Sequence, residues 1–316
     1  MRILFMGSPE LAVPSLQAAK DTGHIVGVVT QPPKASGRGR KLTQSPVSRE
    51  AMNAGFEVMT PDTLRTPDTE EALRKLEPDI AVVVAYGKIL PPNILAVPKL
   101  GCVNIHASIL PELRGAGPIQ WAIARGFTET GVTLMQMDEG MDTGPILLQR
   151  RTPIGVRETA GELGTRLAHI GADLLREGLP LLDRGELPPF DQDNSLATYA
   201  PLLTKADGLI DWTLTTDEIA NRIRGFSPWP GTYTTRAGGR ILITRAIALE
   251  QPNQEPSGTI TSAGSAGMQI SCGSGTLNVL AVKPEGKKEI TIQEFLSGYK
   301  VRVGEILGQT GIRDKG

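Results

Sequence analysis

Two polar side chains, those of Asn104 and His106, close an apolar run and are separated by one residue. The run from Cys102 to His106 predicts a β-strand, and strand alternation places positions 104 and 106 on one face. An amide and an imidazole would then project together at a strand end, where they suit the stabilisation of negative charge on a reacting oxygen. A single histidine is more often structural, so a purely structural role for His106 is the alternative.

A short acidic turn follows the next predicted strand, which covers Val132 to Met137. The turn reads Asp138-Glu139-Gly140-Met141-Asp142-Thr143-Gly144. It has the composition of a calcium loop but lacks the twelve-residue ligand spacing. A solvated turn is one interpretation of this segment. The other is a carboxylate held beside a histidine for acid–base chemistry.

A basic segment, Lys34-Ala35-Ser36-Gly37-Arg38-Gly39-Arg40-Lys41, holds four cations and two glycines in eight residues. Such a segment is typical of a mobile arm that seeks phosphate groups, and a solvated basic turn is the alternative. The whole chain has a net charge of -1, which excludes a uniformly basic nucleic-acid binder. From residue 205 onward, 13 Lys and Arg stand against 11 Asp and Glu. Any polyanion would therefore be bound by local clusters.

The 316 residues include 40% hydrophobic and 21% charged side chains, which is ordinary for a globular protein of two domains. No apolar run reaches the roughly 18–20 residues that span a bilayer. The N-terminal apolar run is too short for the core of a signal peptide, so a cytoplasmic protein without membrane association is expected. Two distant cysteines and three histidines form no metal or disulfide motif, and no metal is expected.

Strand and helix signals alternate through the first two-thirds of the chain. The run Ile80 to Val84 is too apolar for a sheet with one solvated face. The alternation predicts a doubly wound, Rossmann-like α/β domain over residues 1–185, with ligands beyond the carboxyl ends of its strands. Gly7-Ser8-Pro9-Glu10, after the first strand, matches neither a dinucleotide motif nor a P-loop. A polar stretch at 186–205 predicts a linker, and short punctuated strands predict an OB-like β-barrel domain over 206–316.

The motif residues follow one another in a recognisable order. Asn104-x-His106, then Ser108-Ile109-Leu110-Pro111 and Met141-Asp142-Thr143-Gly144, is similar to the signature of the 10-formyltetrahydrofolate-dependent formyltransferases. Ile109 is a mild departure from the usual leucine. Further stretches resemble the methionyl-tRNA formyltransferase branch, so that the resemblance covers essentially the whole chain: Phe5 to Pro9, Thr30 to Pro32, Gly37 to Gly39, Val82 to Gly87, Gln136 to Asp138 and Ile223 to Gly231.

The resemblance implies transfer of a formyl group from the co-substrate 10-formyltetrahydrofolate to a primary amine, with a tetrahedral oxyanionic intermediate. Asn104 and His106 would stabilise the oxyanion. Asp142 would favour the imidazolium form of His106 or help to deprotonate the attacking amine. The folate would contact the family motif and two loops, namely Ser108, Ile109, Leu110, Pro111, Tyr86, Gly87, Leu90, Asp138, Glu139 and Gly140.

The acceptor implied by the resemblance is the methionine of initiator methionyl-tRNA, and the basic segment favours it. Arg38 would enter the acceptor stem. The alternatives are a formyltransferase for an amino nucleotide-sugar and a non-catalytic tRNA-binding module, which would leave Asn104, His106 and Asp142 unexplained. A monomer is expected. The candidate RNA contacts are the cations of the basic segment and of the last domain: Lys34, Arg38, Arg40, Lys41, Arg222, Arg224, Lys287 and Lys288.

Overall fold

The structure, a computed structural model, describes residues 1–36, 41–237, 239–252 and 254–308. Contacts divide the chain into two compact units. The first unit holds residues 1–118, 129–153 and 164–200. The second holds residues 119–128, 154–163 and the chain from 201 onward. The boundaries expected at 185 and 205 remain a proposal.

A seven-stranded mixed sheet forms the centre of the first unit. Its strands in chain order are β1 (Arg2–Gly7), β2 (His24–Val29), β5 (Val58–Met59), β6 (Ile80–Val84), β7 (Cys102–His106), β8 (Glu129–Gln136) and β9 (Ile146–Pro153). Their spatial order is β5-β2-β1-β6-β7-β8-β9. The first five pair in parallel, whereas β8 and β9 continue the sheet in antiparallel register. The Rossmann-like α/β layer expected from the sequence is therefore present, with an antiparallel edge added.

The described part of the chain also contains eight α-helices. They are α1 (Val13–Thr22), α2 (Pro46–Asn53), α3 (Pro67–Lys75), α4 (Pro92–Leu95), α5 (Pro118–Ala124), α6 (Ala160–Asp183), α7 (Thr216–Gly225) and α8 (Ile292–Gly298). Local sequence determines where several of these helices begin. The side chains of Thr215 and Thr291 each accept a bond from the backbone three residues on, and the glutamate there bonds back. These two capping boxes begin α7 and α8.

Both faces of the parallel sheet are covered, as its apolar strands require. On β1, Ile3 and Phe5 belong to a core that also contains Leu16 of α1 and residues of α2 and α6. The intervening Leu4 and Met6 belong to a second core with Leu73 of α3 and residues of α4. Alternate residues of one strand thus reach opposite cores. Because no strand face is left for solvent, the strand ends are where polar side chains of this sheet can meet a ligand.

A small hairpin interrupts the connection between β2 and α2. Its strands are β3 (Lys34–Ser36) and β4 (Lys41–Thr43), which pair in antiparallel register. Residues 37–40, between them, include Arg38 and Arg40 and lie outside the described residues. The two strands of the hairpin therefore contain the two ends of the basic segment that the sequence singled out.

The second unit contains a six-stranded antiparallel sheet. Its strands are β10 (Thr232–Arg236), β11 (Gly239–Leu249), β12 (Ile260–Gly264), β13 (Gly267–Ser271), β14 (Thr276–Pro284) and β15 (Ile290–Thr291). The spatial order is β10-β11-β14-β13-β12, with β15 pairing on β14. Ile219 and Ile223 of α7 pack with Phe295 of α8 into the core against this sheet. The antiparallel sheet agrees with the expected all-β region.

The polar stretch after α6 is held to the first unit by backbone hydrogen bonds. Phe190 and Ile146 exchange both of their backbone bonds, at 2.8 and 3.0 Å. Further on, Ala200 N donates to Arg114 O at 2.7 Å, and Arg114 N donates to Thr198 O at 2.9 Å. The first part of the expected linker is therefore fastened to the sheet edge and to the turn that follows β7.

In the described part of the chain, no helix is both long and apolar enough to cross a membrane.

Candidate functional site

His106 ends β7 and is 6% exposed. Its Nε2 atom lies 3.0 Å from the carbonyl oxygen of Leu113, which can only accept, so Nε2 is the donor in that hydrogen bond. The other ring nitrogen, Nδ1, lies 3.6 Å from Oδ2 of Asp142. Both ring nitrogens therefore face acceptors, and the arrangement offers a partner to each N–H of an imidazolium.

Asp142 lies in the acidic turn and is brought to His106 by an unusual backbone. Its φ is +56°, in the left-handed region that non-glycine residues rarely adopt. Its Oδ2 atom accepts a hydrogen bond of 2.8 Å from the backbone N–H of Gly115. The carboxylate is thus shared between a backbone donor and the histidine ring. The structure places the two sequence-predicted residues side by side, although 36 positions separate them.

Asn104 lies two residues before His106 on β7, in register with Val83 of β6 and Met135 of β8. Its side chain is half-buried. Within the described ranges no hydrogen bond engages the Asn104 amide. A half-buried amide donor without a protein partner is suited to bind a polar atom of a ligand.

The turn after β7 holds the expected folate motif and is tied down by β8. Thr133 Oγ1 donates to the carbonyl of Ser108 at 2.7 Å and accepts from Leu110 N at 3.1 Å. Gln149 of β9 adds a bond of 2.8 Å to the carbonyl of Leu110. The Ser108 hydroxyl donates to Glu112 O at 2.6 Å. Because these bonds fix the backbone, the motif is preorganised before any ligand arrives.

The side chains of this motif are largely taken up by the protein itself. Ile109 is 6% exposed and Leu110 is 2% exposed. Leu110 packs against Met135 and Ile146. Pro111 is half-buried. The backbone and Pro111 are therefore the parts of the motif left to meet a folate.

The Tyr86–Gly87 loop follows β6 and contacts the base of the hairpin. Gln31 Nε2 donates to the carbonyl of Tyr86 at 2.8 Å, and Lys34 Nζ donates to Gln31 Oε1 at 2.5 Å. Gly87 has a φ of +79°, and a Cβ there would lie 2.5 Å from Gln31 Nε2. Tyr86 and Leu90 are buried, at 2% and 4% exposed. Burial raises the pKa of the Tyr86 hydroxyl to about 12.

Three members of the acidic turn, Asp138, Glu139 and Gly140, are exposed. Asp138 Oδ1 accepts from Gly140 N at 3.0 Å and from Thr143 Oγ1 at 2.8 Å. Asp138 therefore closes the turn that presents Asp142. In the described residues, no three His, Cys, Asp or Glu side chains converge as ligands of a metal ion would.

Arg114 and Gln192 are further polar residues at the site, and sequence reasoning missed both. Arg114 is 2% exposed and Gln192 is 9% exposed. They bond to each other, and Gln192 also donates to the backbone carbonyl of Asp142. Arg114 stands beside the motif in the sequence, but nothing in the polar stretch marked Gln192. A separation of 78 residues hides the contact from any local pattern.

The candidate RNA-contacting residues of the second unit differ in their exposure and in their hydrogen bonds to the protein. Lys287 and Lys288 are exposed between β14 and β15, and Arg222 is half-buried on α7. Arg224 donates to the carbonyls of Gly155 and Glu158 and to the Asn221 side chain. Burial lowers the pKa of the Arg224 guanidinium. Arg224 is therefore a structural bracket in this unit, and the two exposed lysines are the freer cations of this set. The Lys41 side chain, like Arg38 and Arg40, falls outside the described residues.

Comparisons with known proteins agree over nearly the whole chain. Residues 1–179 match the family model described as Formyl transferase, and residues 202–300 match Formyl transferase, C-terminal domain. The chain is 46% identical over 303 residues to a methionyl-tRNA formyltransferase of Myxococcus xanthus, covering 96% of each chain. It is 49% identical over 301 residues to the methionyl-tRNA formyltransferase of Xanthomonas euvesicatoria, covering 95% of this chain and 98% of the relative.

A solved structure shares the fold at low identity. A sugar 3N-formyl transferase, crystallised with dTDP and 5-N-formyl-THF, aligns with a TM-score of 0.67 and 19% identity. The alignment covers 91% of this chain and 99% of that one. At this identity the likeness establishes a common fold.

Proposed function

Because this chain belongs to the formyl transferase family, we propose that it transfers the formyl group of 10-formyltetrahydrofolate to the amino group of methionine on initiator methionyl-tRNA. The observation that supports this most is the identity of 44–49% to proteins named methionyl-tRNA formyltransferase, over at least 95% of the chain. The sugar formyltransferase alternative is supported by solved structures at 18–21% identity, which show a common fold. The family resemblance stated from the motifs is confirmed.

The site fits a formyl donor in one specific respect. The half-buried amide of Asn104 has no partner among the described residues, and it lies two positions from His106 at the same strand end. The donor supplies a formyl group on nitrogen, and transfer of that group develops negative charge on the formyl oxygen. Asn104 Nδ2–H and a ring N–H of His106 are the donors that we assign to this charge.

Asp142 has two tasks in the proposal. Its Oδ2 atom lies 3.6 Å from Nδ1, which is too far for a strong hydrogen bond, so an N–H there can be shared with the formyl oxygen. Asp142 also accepts, directly or through water, the proton that the methionine ammonium loses as its nitrogen bonds to the formyl carbon. The bond from that carbon to the folate nitrogen then breaks, and the folate nitrogen takes up the second proton that the amine nitrogen loses on becoming an amide.

Folate contacts are assigned to the residues expected from the sequence. The backbone of the Tyr86–Gly87 loop and of the acidic turn, Asp138 to Gly140, would read the polar edge of the pterin ring. The motif Ser108 to Pro111 would bind through its fixed backbone. Leu90, Ile109 and Leu110 are buried, and we retain them as the apolar support beneath the ring rather than as its direct walls.

The RNA contacts and the second domain complete the proposal. Lys34, Arg38, Arg40 and Lys41 would position the acceptor end. Arg222, Lys287 and Lys288 would contact the RNA backbone, whereas Arg224, also expected there from the sequence, is engaged by protein acceptors. We infer that the sheet of the second unit closes into an OB-like barrel. Leu307 N donates to Gly258 O at 2.9 Å, and Gly308 N donates to Thr235 O at 2.9 Å, which supports closure between the β12 and β10 edges. The protein would act as a cytoplasmic monomer, with domains at 1–185 and 206–316.

The test is a transfer assay with 10-formyltetrahydrofolate as donor. Charged initiator tRNA, charged elongator methionyl-tRNA and a dTDP-linked amino sugar are offered separately as acceptors. Formylation of the initiator tRNA in clear preference to the other two is expected. Formylation of the amino sugar alone would replace the proposed acceptor. Absence of transfer to any acceptor, with tRNA still bound, would favour the non-catalytic binding module.

A further inference from the structure

Arg114 is a buried cation without a carboxylate partner. It is 2% exposed, and no salt bridge to it occurs in the described part of the chain. Its Nε and Nη2 atoms donate to Gln192 Oε1 at 3.0 and 2.7 Å, and Nη2 also donates to Asn194 Oδ1 at 2.8 Å. A buried guanidinium is most simply satisfied by a carboxylate. Arg114 is instead bound by the neutral amide of Gln192, so another contact of the Gln192 side chain must explain why an amide stands at this position.

The reason lies at the other end of the Gln192 side chain. Gln192 Nε2 donates to the carbonyl of Asp142 at 2.8 Å and to the carbonyl of Gly144 at 2.7 Å. A glutamate would pair with Arg114, but it would then set a carboxylate oxygen against two carbonyl oxygens. An amide offers an acceptor to the cation and a donor to the acidic turn. The guanidinium fixes which way the amide points, because only Oε1 can accept from it.

This chain of bonds ends on the residue that faces His106. Asp142 is held through its carbonyl by Gln192 and through its carboxylate by Gly115 N. Arg114 itself stands between Leu113, whose carbonyl accepts from His106, and Gly115. The backbone of Asp142 lies in the left-handed region, with a φ of +56°. Such a conformation persists only where the surroundings fix it.

We propose that Gln192, oriented by the buried Arg114, is a positioning residue that holds Asp142 in register with His106. This role rests on the proposed function, since it concerns the same transfer. The first part of the polar stretch at 186–205, which contains Gln192, would then contribute to the function of the site. Gln192 touches no substrate and acts through Asp142.

The experiment is a double-mutant cycle on the full-length protein. Turnover of initiator methionyl-tRNA is measured for the wild type, Gln192→Glu, Asp142→Asn and the double variant. Affinity for 5-formyltetrahydrofolate is measured alongside, as a probe of folding and of the folate site. Gln17→Glu makes the same chemical change on the exposed face of α1, where Gln17 bonds to Glu50 and to no other described side chain, and serves as the matched control.

We expect Gln192→Glu to lower kcat about 10- to 100-fold, the cost of misplacing a reacting group by a fraction of an ångström to an ångström. Folate affinity should stay within twofold, and Gln17→Glu should match the wild type. In the Asp142→Asn background, Gln192→Glu should cost nothing further, because the residue through which it acts is already disabled. A purely structural role would give losses that multiply instead.

Two results would overturn the proposal: a kcat for Gln192→Glu within twofold of the wild type, or multiplying losses in the double variant. If Gln192→Glu does not fold, Gln192→Met keeps the length of the side chain and is taken through the same cycle. The wild-type reaction separates this outcome from failure of the proposed function. An inactive wild type disproves the function, whereas an active wild type with a multiplying cycle disproves only the role of Gln192.

Discussion

Nδ1 of His106 lies 3.6 Å from Oδ2 of Asp142, while Nε2 of the same ring donates to the carbonyl of Leu113. The second bond fixes the ring plane and leaves Nδ1 as the nitrogen directed at the carboxylate. The separation is longer than a strong hydrogen bond. The pair therefore has room to tighten or to share a hydrogen bond with a ligand, as the proposed mechanism expects of it.

Removal of either oxyanion donor should depress turnover. His106→Ala and Asn104→Ala are each expected to lower kcat by about 10²–10³, the usual cost of one donor aimed at a developing oxyanion. Single-turnover formylation of initiator methionyl-tRNA measures the effect, and unfolding by urea checks that both variants remain folded. Near-normal kcat in either variant would remove that residue from the mechanism.

Neutralising Asp142 should separate chemistry from binding. Asp142→Asn keeps the shape and tolerates the left-handed backbone, yet it removes the charge beside His106. A large loss of kcat is expected, with the affinity for 5-formyltetrahydrofolate nearly unchanged. Equilibrium titration of that folate provides the comparison. A variant that no longer binds folate would show that Asp142 is structural instead.

Two threonines of β8 provide a matched test of the folate turn. Thr133→Val removes the hydroxyl that bonds to Ser108 and Leu110, and the stranded groups should cost about 1–3 kcal/mol of unfolding free energy. KM for the folate should rise with it. Thr130→Val is the control, because the buried Thr130 hydroxyl has no partner in the part of the chain described here. Equal effects of the two changes would contradict the proposed tie between Thr133 and the turn.

Arg38→Ala should sharply reduce the efficiency of tRNA formylation while leaving folate affinity unchanged. Local clusters must attract the polyanion, because the whole chain has a net charge of -1. Arg38→Lys should restore only part of the loss, since a planar fork binds bases or phosphates at two points. Replacing Lys41 should instead flatten the dependence of affinity on salt. Normal formylation by Arg38→Ala, with an unaltered salt slope and initiator preference, would make the segment a solvated turn.

Stability at alkaline pH should depend on the buried Cys102. Burial raises the pKa of its thiol from 9.0 to about 12. Below pH 9 the thiol is protonated in both states. Between pH 9 and 12 the unfolded chain releases the proton first, so the unfolding free energy falls by up to about 1.4 kcal/mol per pH unit. Urea unfolding at pH 8.0, 9.5 and 10.5 should show a steeper decline for the wild type than for Cys102→Ala. Parallel curves would contradict this.

The sequence predicted those elements whose signals are local. The strand Cys102 to His106 has the bounds expected from its apolar run. The strand β9 was missed because Gln149-Arg150-Arg151 interrupts its apolar alternation, and α2 was missed in a short polar stretch.

The proximity of Asn104, His106 and Asp142 was anticipated only in outline. Sheet topology brings β7 beside β8, and the acidic turn follows β8. The hydrogen bond between His106 Nε2 and the Leu113 carbonyl accompanies a φ of +58° at Leu113. Residue preferences do not predict such a backbone at a leucine. The bond between Arg114 and Gln192 depends on where a polar stretch returns to the sheet edge. Such contacts are decided by tertiary packing.

The left-handed backbone of Asp142 has a consequence for the evolution of heat resistance. An aspartate in that region costs on the order of 1–3 kcal/mol, whereas glycine adopts it freely and asparagine more readily than most residues. A screen that rewards survival at high temperature alone should therefore enrich glycine or asparagine at position 142. The variants that such a screen selects would be more heat-resistant and inactive in formyl transfer. Under the proposed mechanism, thermal tolerance and turnover are opposed at this residue, so both would have to be selected together.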